Sequence, residues 1–244
     1  YIKYFGSGTE KLEEELSQLL PEARLVRMDR DTTGRKLAHT EILTQFRKRD
    51  FDILLGTQMV AKGHDLPGVH AVGIISADAS LNLPDFRAAE RCFMLITQTA
   101  GRAGRHGARG EVIVQTYNPE HYAVRTAMHQ DYVSFYAHEI ALRRELFYPP
   151  FSRLVKLLFR DPQRARAWET ARDFVAVAQR AFARRQDCTI IGPSPALIER
   201  ERGVYRFIVL IKTGVLTSVQ EFLRGQGVHL RDDIAIDIDP IAIF

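Results

Sequence analysis

Two short stretches of the chain carry residue types that could do chemistry. Gln98-Thr99-Ala100-Gly101-Arg102-Ala103-Gly104-Arg105 sets two arginines three positions apart among small residues, behind a leading glutamine. If the stretch is helical, residues three apart share a face, and the glycines leave room beside the guanidinium groups. Such groups suit a polyphosphate, because each offers a planar fork of donors and a charge to the oxygens of a transferring phosphoryl group. A plain Gly/Arg turn is the competing reading; the glutamine and the spacing make the polyphosphate reading the more specific. The second stretch, Gly56-Thr57-Gln58-Met59-Val60-Ala61-Lys62-Gly63-His64-Asp65-Leu66-Pro67, presents a hydroxyl, an amide, an ammonium and a carboxylate between glycines. The glycines permit close backbone approach, so the loop suits phosphates or a nucleic-acid backbone. A surface connector with Gly and Pro as turn residues explains this segment alone equally well. His64 reads as a polar loop histidine before it reads as a catalytic one.

Several chemistries find no support. There is no Gly-x-x-x-x-Gly-Lys-Ser/Thr, and Gly6-Ser7-Gly8 lacks the third glycine of a dinucleotide fingerprint. Arginines of this kind without a phosphate loop imply a cradle on a partner surface. His-Glu-x-x-His, Cys-x-x-Cys and Gly-x-Ser-x-Gly are also missing, which leaves metallohydrolase, redox and esterase activity without a basis. Cys92 and Cys188 are the only cysteines and stand far apart, too few for a disulfide framework or a cysteine zinc site. A reducing, cytoplasmic setting is the expectation. No apolar run reaches the roughly 18 residues that cross a bilayer, and the first residues have no basic-then-apolar signal pattern, so no membrane partner is expected. The chain opens on Tyr1 within an apolar pattern, which reads as a piece of something longer.

These stretches must be positioned by regular elements, and the composition allows a real core: 45% of the 244 residues are apolar and 26% charged. Thr9 reads as the N-cap of a helix with leucines at 12, 16, 19 and 20, ending at Pro21. Strand-like runs at 24–29, 51–55, 69–76 and 111–116 alternate with helical spacing at 37–49 and 86–99. That alternation predicts a parallel sheet covered on both faces, with chemistry in the loops beyond the carboxyl ends of the strands. Helices follow at 121–129 and 131–146, and Tyr148-Pro149-Pro150 then marks a boundary between domains 1–148 and 149–244. The second domain reads as a smaller α+β unit: strands at 153–160, 189–191, 205–212 and 234–238, a long Arg/Ala-rich helix from 162 to about 185, and a short one at 216–224. Residues 1–150 hold 19 basic and 19 acidic side chains, so the net charge of +4 lies wholly in 151–244. A positive face for nucleic acid and a solvated arginine-rich helix surface both fit that excess.

The two stretches together resemble motifs V and VI of the superfamily-two helicases. With Gly8-Thr9-Glu10, Asp29-Arg30-Asp31-Thr32-Thr33, Asp85-Phe86-Arg87-Ala88-Ala89-Glu90-Arg91, Tyr148-Pro149-Pro150-Phe151, Gly192-Pro193-Ser194-Pro195-Ala196 and Asp237-Ile238-Asp239-Pro240, the resemblance narrows to the primosomal replication-restart helicases over nearly the whole chain. It implies a RecA-like helicase lobe 2 followed by a C-terminal domain associated with branched DNA. In that family ATP binds between two lobes, and the enzyme moves 3′ to 5′ on single-stranded DNA at abandoned forks. The phosphate loop and the Mg²⁺-binding motif belong to the other lobe, and zinc to a cysteine-rich insertion, so this chain is expected to hold no metal and not to hydrolyse ATP alone. Carried over by position, Arg102 and Arg105 would reach the γ-phosphate, Gln98 would position water or sense the nucleotide, and Gly63 and Asp65 would lie near it. Thr9, Thr57, Gln58 and Lys62 would contact the DNA backbone. Single-stranded DNA-binding protein and other primosome proteins are the implied partners. Leu66 stands where phenylalanine is common, a change between apolar residues. A non-catalytic DNA- or protein-binding module at forks is the alternative, and the two motifs alone leave an RNA translocase open.

Overall fold

The structure, a computed structural model, describes residues 8–29, 38–57, 66, 68–104 and 110–243. They fall into two compact units: 1–83 with 88–135, and 84–87 with 136–244. The division thus lies within the helix 132–145, ahead of the Pro149-Pro150 pair, and assigns a short internal segment to the second unit.

The first unit is built on two parallel strand pairs. β1 (Leu25–Met28) runs beside β2 (Ile53–Gly56), with Leu25 opposite Ile53 and Met28 opposite Gly56. β3 (Ala71–Ile74) pairs in the same sense with β4 (Glu111–Val114). Helix α1 (Thr9–Leu19) starts one residue earlier than its sequence suggests: Gly8 is the N-cap, and Thr9 is the first helical residue. The Thr9 hydroxyl donates to Asp29 Oδ2 at 2.6 Å instead, so a long-range bond takes the oxygen that would have capped the helix. α2 (Ala38–Arg47) lays Leu43 against Met28 and Leu66, with Ile42, Phe46, Leu54 and Val69 around them. A second core gathers Ile74 with Ala77, Cys92, Phe93, Ile96, Ala123, Val124, Ala127 and Phe135. It joins β3 to α3 (Asp78–Leu81), α4 (Ala88–Ala100), α5 (Tyr122–Met128) and the start of α6 (Tyr132–Glu145). In α4 the buried positions 88, 92, 93 and 96 follow the helical period, which leaves Met94 and Gln98 on its exposed side.

The second unit is an antiparallel sheet in the order β6-β7-β5-β8, formed by β5 (Arg153–Asp161), β6 (Cys188–Glu201), β7 (Val204–Thr213) and β8 (Ile234–Ile238). Alternate residues of β5 and β7, namely Val155, Leu157, Phe159, Phe207, Val209 and Ile211, face α7 (Arg164–Phe182) and α8 (Leu216–Gly225). On the other face Leu154 and Leu210 are covered by Ile243, Phe86 and Tyr148, so β7 is buried on both sides from Phe207 to Thr213. Phe86 stacks on Tyr148 at 5.0 Å, and the Arg87 guanidinium donates to the carbonyls of Pro240 and Ile241 at 2.9 and 2.8 Å. Asp85 accepts from the Ile243 backbone at 3.2 Å. This explains why the helix expected from residue 86 begins at Ala88: Phe86 and Arg87 are held by the second unit's sheet and tail. Lys212 is buried on the same face, donates to the Leu146 carbonyl at 2.6 Å and lies 4.0 Å from the centre of the Tyr148 ring. Burial lowers its pKa.

β6 is far longer than the three residues its sequence suggests, because Gly192-Pro193 and Pro195 read as breakers. Proline is tolerated here since β6 is an edge strand that departs from regular register on either side of Ser194-Pro195. Among the described residues no helix is long and apolar enough to cross a membrane.

Candidate functional site

The site residues named from the sequence fall into two groups. Thr9, Thr57, Gln98 and Arg102 are described, whereas Gln58, Lys62, Gly63, Asp65 and Arg105 lie outside the described residues, as does His64.

Because β1 and β2 are parallel and Met28 pairs with Gly56, the next residues, Asp29 and Thr57, leave the same edge, the carboxyl end of the pair. Asp29 is buried and holds the Thr9 hydroxyl, while Arg27 Nε stands 3.2 Å from the same carboxylate oxygen. Thr9 therefore reaches this edge through Asp29, and Thr57 reaches it directly as an exposed residue. Two hydroxyl side chains 48 positions apart in the sequence are brought to one strand edge, where the parallel-sheet argument puts binding loops.

Gln98 and Arg102 are placed differently. Helix α4 ends at Ala100, and Gly101 to Gly104 form a turn: Arg102 N donates to Thr99 O at 3.0 Å and Ala103 N to Ala100 O at 3.1 Å. The helix that would have set Arg102 and Arg105 on one face does not continue. Two features stop it. Thr97 and Thr99 turn their hydroxyls back onto the Phe93 and Leu95 carbonyls of the preceding turn, and Gly104 takes φ +72°, a left-handed conformation that favours glycine.

The turn is tied at the amino ends of β3 and β4. Gly104 N donates to Val69 O at 3.1 Å, and Glu111 N donates to His70 O at 2.8 Å. A side chain at Gly110 would overlap the backbone of Ala103 and Gly104, so the two flanks of residues 105–109 lie backbone against backbone. Thr57 thus stands at the carboxyl end of its strand pair and Arg102 at the amino ends of the other. Val69 and Leu66 also pack into the α2 core, so the segment closing the Gly56–Pro67 stretch supplies the carbonyls that anchor the arginine turn. Sequence reading missed Val69, His70 and Gly110 because their part is played by backbone atoms. The one available signal was a glycine directly before a strand.

At the other end of this strand pair, Asp78 is buried and accepts from Thr116 Oγ1 at 2.9 Å and from the Tyr117 backbone at 3.0 Å. These bonds clasp the carboxyl ends of β3 and β4. Burial, with the nearby Asp78 charge, pushes the fully buried Cys92 thiol up to about 11, and burial likewise raises Cys188. Neither thiol suits zinc, which binds the thiolate. Among the described residues no group of three His, Cys, Asp or Glu could hold a metal ion.

Comparison with known proteins agrees with this division. Residues 2–107 match the helicase conserved C-terminal domain, and residues 144–241 match the primosomal protein N C-terminal domain. The chain is thus a RecA-like helicase lobe of mixed α/β fold followed by a separate antiparallel domain. It is 43% identical over 98% of its length to the replication restart protein PriA of Bacillus subtilis, and 40% identical over 99% to that of Treponema pallidum. The Synechocystis protein of the same name is 40% identical over the full chain. The chain belongs to this PriA family. It spans about a third of the length of these relatives, 30%, 37% and 29% respectively.

Proposed function

We propose that this chain supplies the second motor lobe and the fork-binding domain of an ATP-dependent 3′-to-5′ DNA helicase that restarts replication at stalled or branched forks in the cytoplasm. The observation that carries the reading is the backbone stitching of the arginine turn: Gly104 and Glu111 are bonded to the consecutive carbonyls of Val69 and His70, at the end of the Gly56–Pro67 stretch. The arginine turn is thereby joined, backbone to backbone, to the residues that follow the Gly56–Pro67 stretch in the chain.

In this reading the ATP phosphates are cradled by another lobe. Arg102 and Arg105 offer guanidinium donors to the γ-phosphate, Gln98 orients water or senses the nucleotide from the exposed side of α4, and Gly63 and Asp65 line the same region. Mg²⁺ would supply charge neutralisation on the phosphates; among the described residues no group of three His, Cys, Asp or Glu fits it. Zinc would be bound by cysteines other than Cys92 and Cys188. Thr9, Thr57, Gln58 and Lys62 grip the DNA backbone, which carries affinity without reading sequence. Arginine-to-phosphate pairing draws the lobes together when ATP is bound, and hydrolysis releases it, so the grip advances along the strand. The second unit, with the net positive charge, holds branched DNA, and single-stranded DNA-binding protein and other primosome proteins are its partners.

The test uses a chimera in which these 244 residues replace the corresponding part of the Bacillus subtilis relative. Arg105→Ala should lower DNA-stimulated ATP hydrolysis by about 10³-fold or more and leave fork affinity within about twofold. Equal loss of both would remove the assigned role. Full-rate ATP hydrolysis by the isolated 244-residue chain would sink the two-lobe reading outright.

A further inference from the structure

The edge strand β6 carries an irregularity that the motor reading leaves unused. Pro195 pairs with Phe207 and Arg200 with Tyr205, so residues 196–199 stand opposite the single residue Arg206. A bulge of that size is kept in place by specific bonds. Arg206 donates twice to the Ile198 carbonyl, from Nε at 3.0 Å and from Nη2 at 2.6 Å, and its third nitrogen pairs with Glu201. Arg164 of α7 pairs with Glu199 at 2.6 Å and covers the Phe207 ring, against whose edge Trp168 packs. The bulge is pinned from both sides, yet its two apolar side chains point outward: Leu197 is 61% and Ile198 58% exposed.

Around this knuckle the acidic residues are already matched and two arginines are not. Glu199 and Glu201 are paired with Arg164 and Arg206, whereas Arg200 and Arg202 have no ion pair among the described residues. Arg200 lies 5.2 Å from the centre of the Tyr205 ring. Arg202 and Gly203 form the two-residue hairpin turn with φ of 50° and 83°, both left-handed, which keeps the tip short and stiff. Rigid exposed apolar residues flanked by uncompensated arginines are the equipment with which proteins part stacked bases: the apolar group enters a base step and the cations hold the adjoining phosphates.

We propose that the Leu197-Ile198 knuckle is a wedge that docks on DNA where a duplex opens into single strands, with Arg200 and Arg202 on the flanking phosphates. The inference rests on the proposed action at branched DNA, and it names the part of the second unit that would recognise the branch. Uncompensated positive charge favours nucleic acid over a basic or neutral protein surface.

The experiment uses the whole 244-residue chain and a synthetic fork with 2-aminopurine at the first junction base pair, alongside duplex and single-stranded controls. The unaltered chain should raise 2-aminopurine emission on binding, as the junction base unstacks. Leu197→Ala/Ile198→Ala should abolish that rise and lower fork affinity by about fivefold to a hundredfold relative to duplex. Arg200→Ala/Arg202→Ala should weaken binding to all three DNAs and reduce the slope of log affinity against log salt by about 2. All four side chains lie on the exposed face of the edge strand or its turn, and matching thermal melts would show that the fold is retained. If the unaltered chain binds no fork, the fork-binding reading itself fails. If it binds and the Leu197→Ala/Ile198→Ala chain keeps the emission rise and the affinity, only the wedge is overturned, and the knuckle then belongs to a protein partner.

Discussion

The strands of the first unit are four residues long and pair in parallel, while three of the four in the second unit run to nine, fourteen and ten residues and pair antiparallel. In the first unit the arginine turn is placed by backbone atoms at the strand ends, the Val69 and His70 carbonyls, and Thr9 by the side chain of Asp29 just past the end of β1. In the second unit side chains do the placing, as with Arg87 on the tail carbonyls, Lys212 on Leu146 and Arg206 on Ile198. A lobe organised by strand ends can present loops to ligands on two edges. A sheet buried on both faces is a rigid base from which an edge strand can project a shaped surface.

The largest expected effect tests the first half of this contrast. In the chimera with the Bacillus subtilis relative, Arg102→Ala should reduce DNA-stimulated ATP hydrolysis by about 10³-fold or more, with fork affinity nearly unchanged; an equal fall in both would mean that the turn serves the DNA-binding side as well. Next in size is Phe86→Ala, which strips the ring that stacks on Tyr148 and covers Leu154 and Leu210. A loss of about 3 kcal/mol is expected, read through the single tryptophan, Trp168, which reports on the second unit in urea unfolding of the whole chain. Retention of the Trp168 midpoint would show that the segment 84–87 is not part of that unit's core.

Gly110→Ala should cost about 2 kcal/mol by forcing backbone apart at the arginine turn. Because it strikes the first unit, far-ultraviolet circular dichroism should register the shift while the Trp168 transition stays put. Coincident movement of both signals would break the distinction between the units. The smallest effect concerns acid. Arg153 holds the Asp239 carboxyl below the usual carboxylate range, as Arg231 does for Asp233 and Arg185 for Asp187. Each pair contributes stability that is present above the unfolded value of about 4 and is lost as pH falls through the depressed folded value. Asp239→Asn should therefore flatten the acid limb of the Trp168 unfolding curve, by less than about 1 kcal/mol for a pair this exposed; an unchanged acid limb would show that the pair contributes nothing.

Most of the element sequence was legible in residue order. Apolar spacing of 3.6 announced α4 and α7, and continuous apolar runs announced β5 and β7, within a few residues of their observed ends, since burial is written into the spacing itself. The two chemically promising stretches were picked out by residue type and offset, although the Gly56–Pro67 stretch alone reads equally well as a surface connector. Local reading failed where a distant partner outweighed local preference. Thr9 gives up its capping position to Asp29, Phe86 and Arg87 leave the helix they would have begun, and β6 runs through three breaker residues because its neighbour β7 supplies the ladder.

By itself, then, the sequence determined the kinds of element, the RecA-like character of the first unit and which residue types stand as candidates for phosphate. Their periods and offsets are local properties of the chain. Only the tertiary structure decided that Thr9 and Thr57 share one strand edge, that Arg102 sits in a turn at the amino ends of β3 and β4, and that Leu197 and Ile198 stand outward on a pinned bulge. Each of those placements depends on hydrogen bonds between residues far apart in the chain, and such bonds leave no period to read.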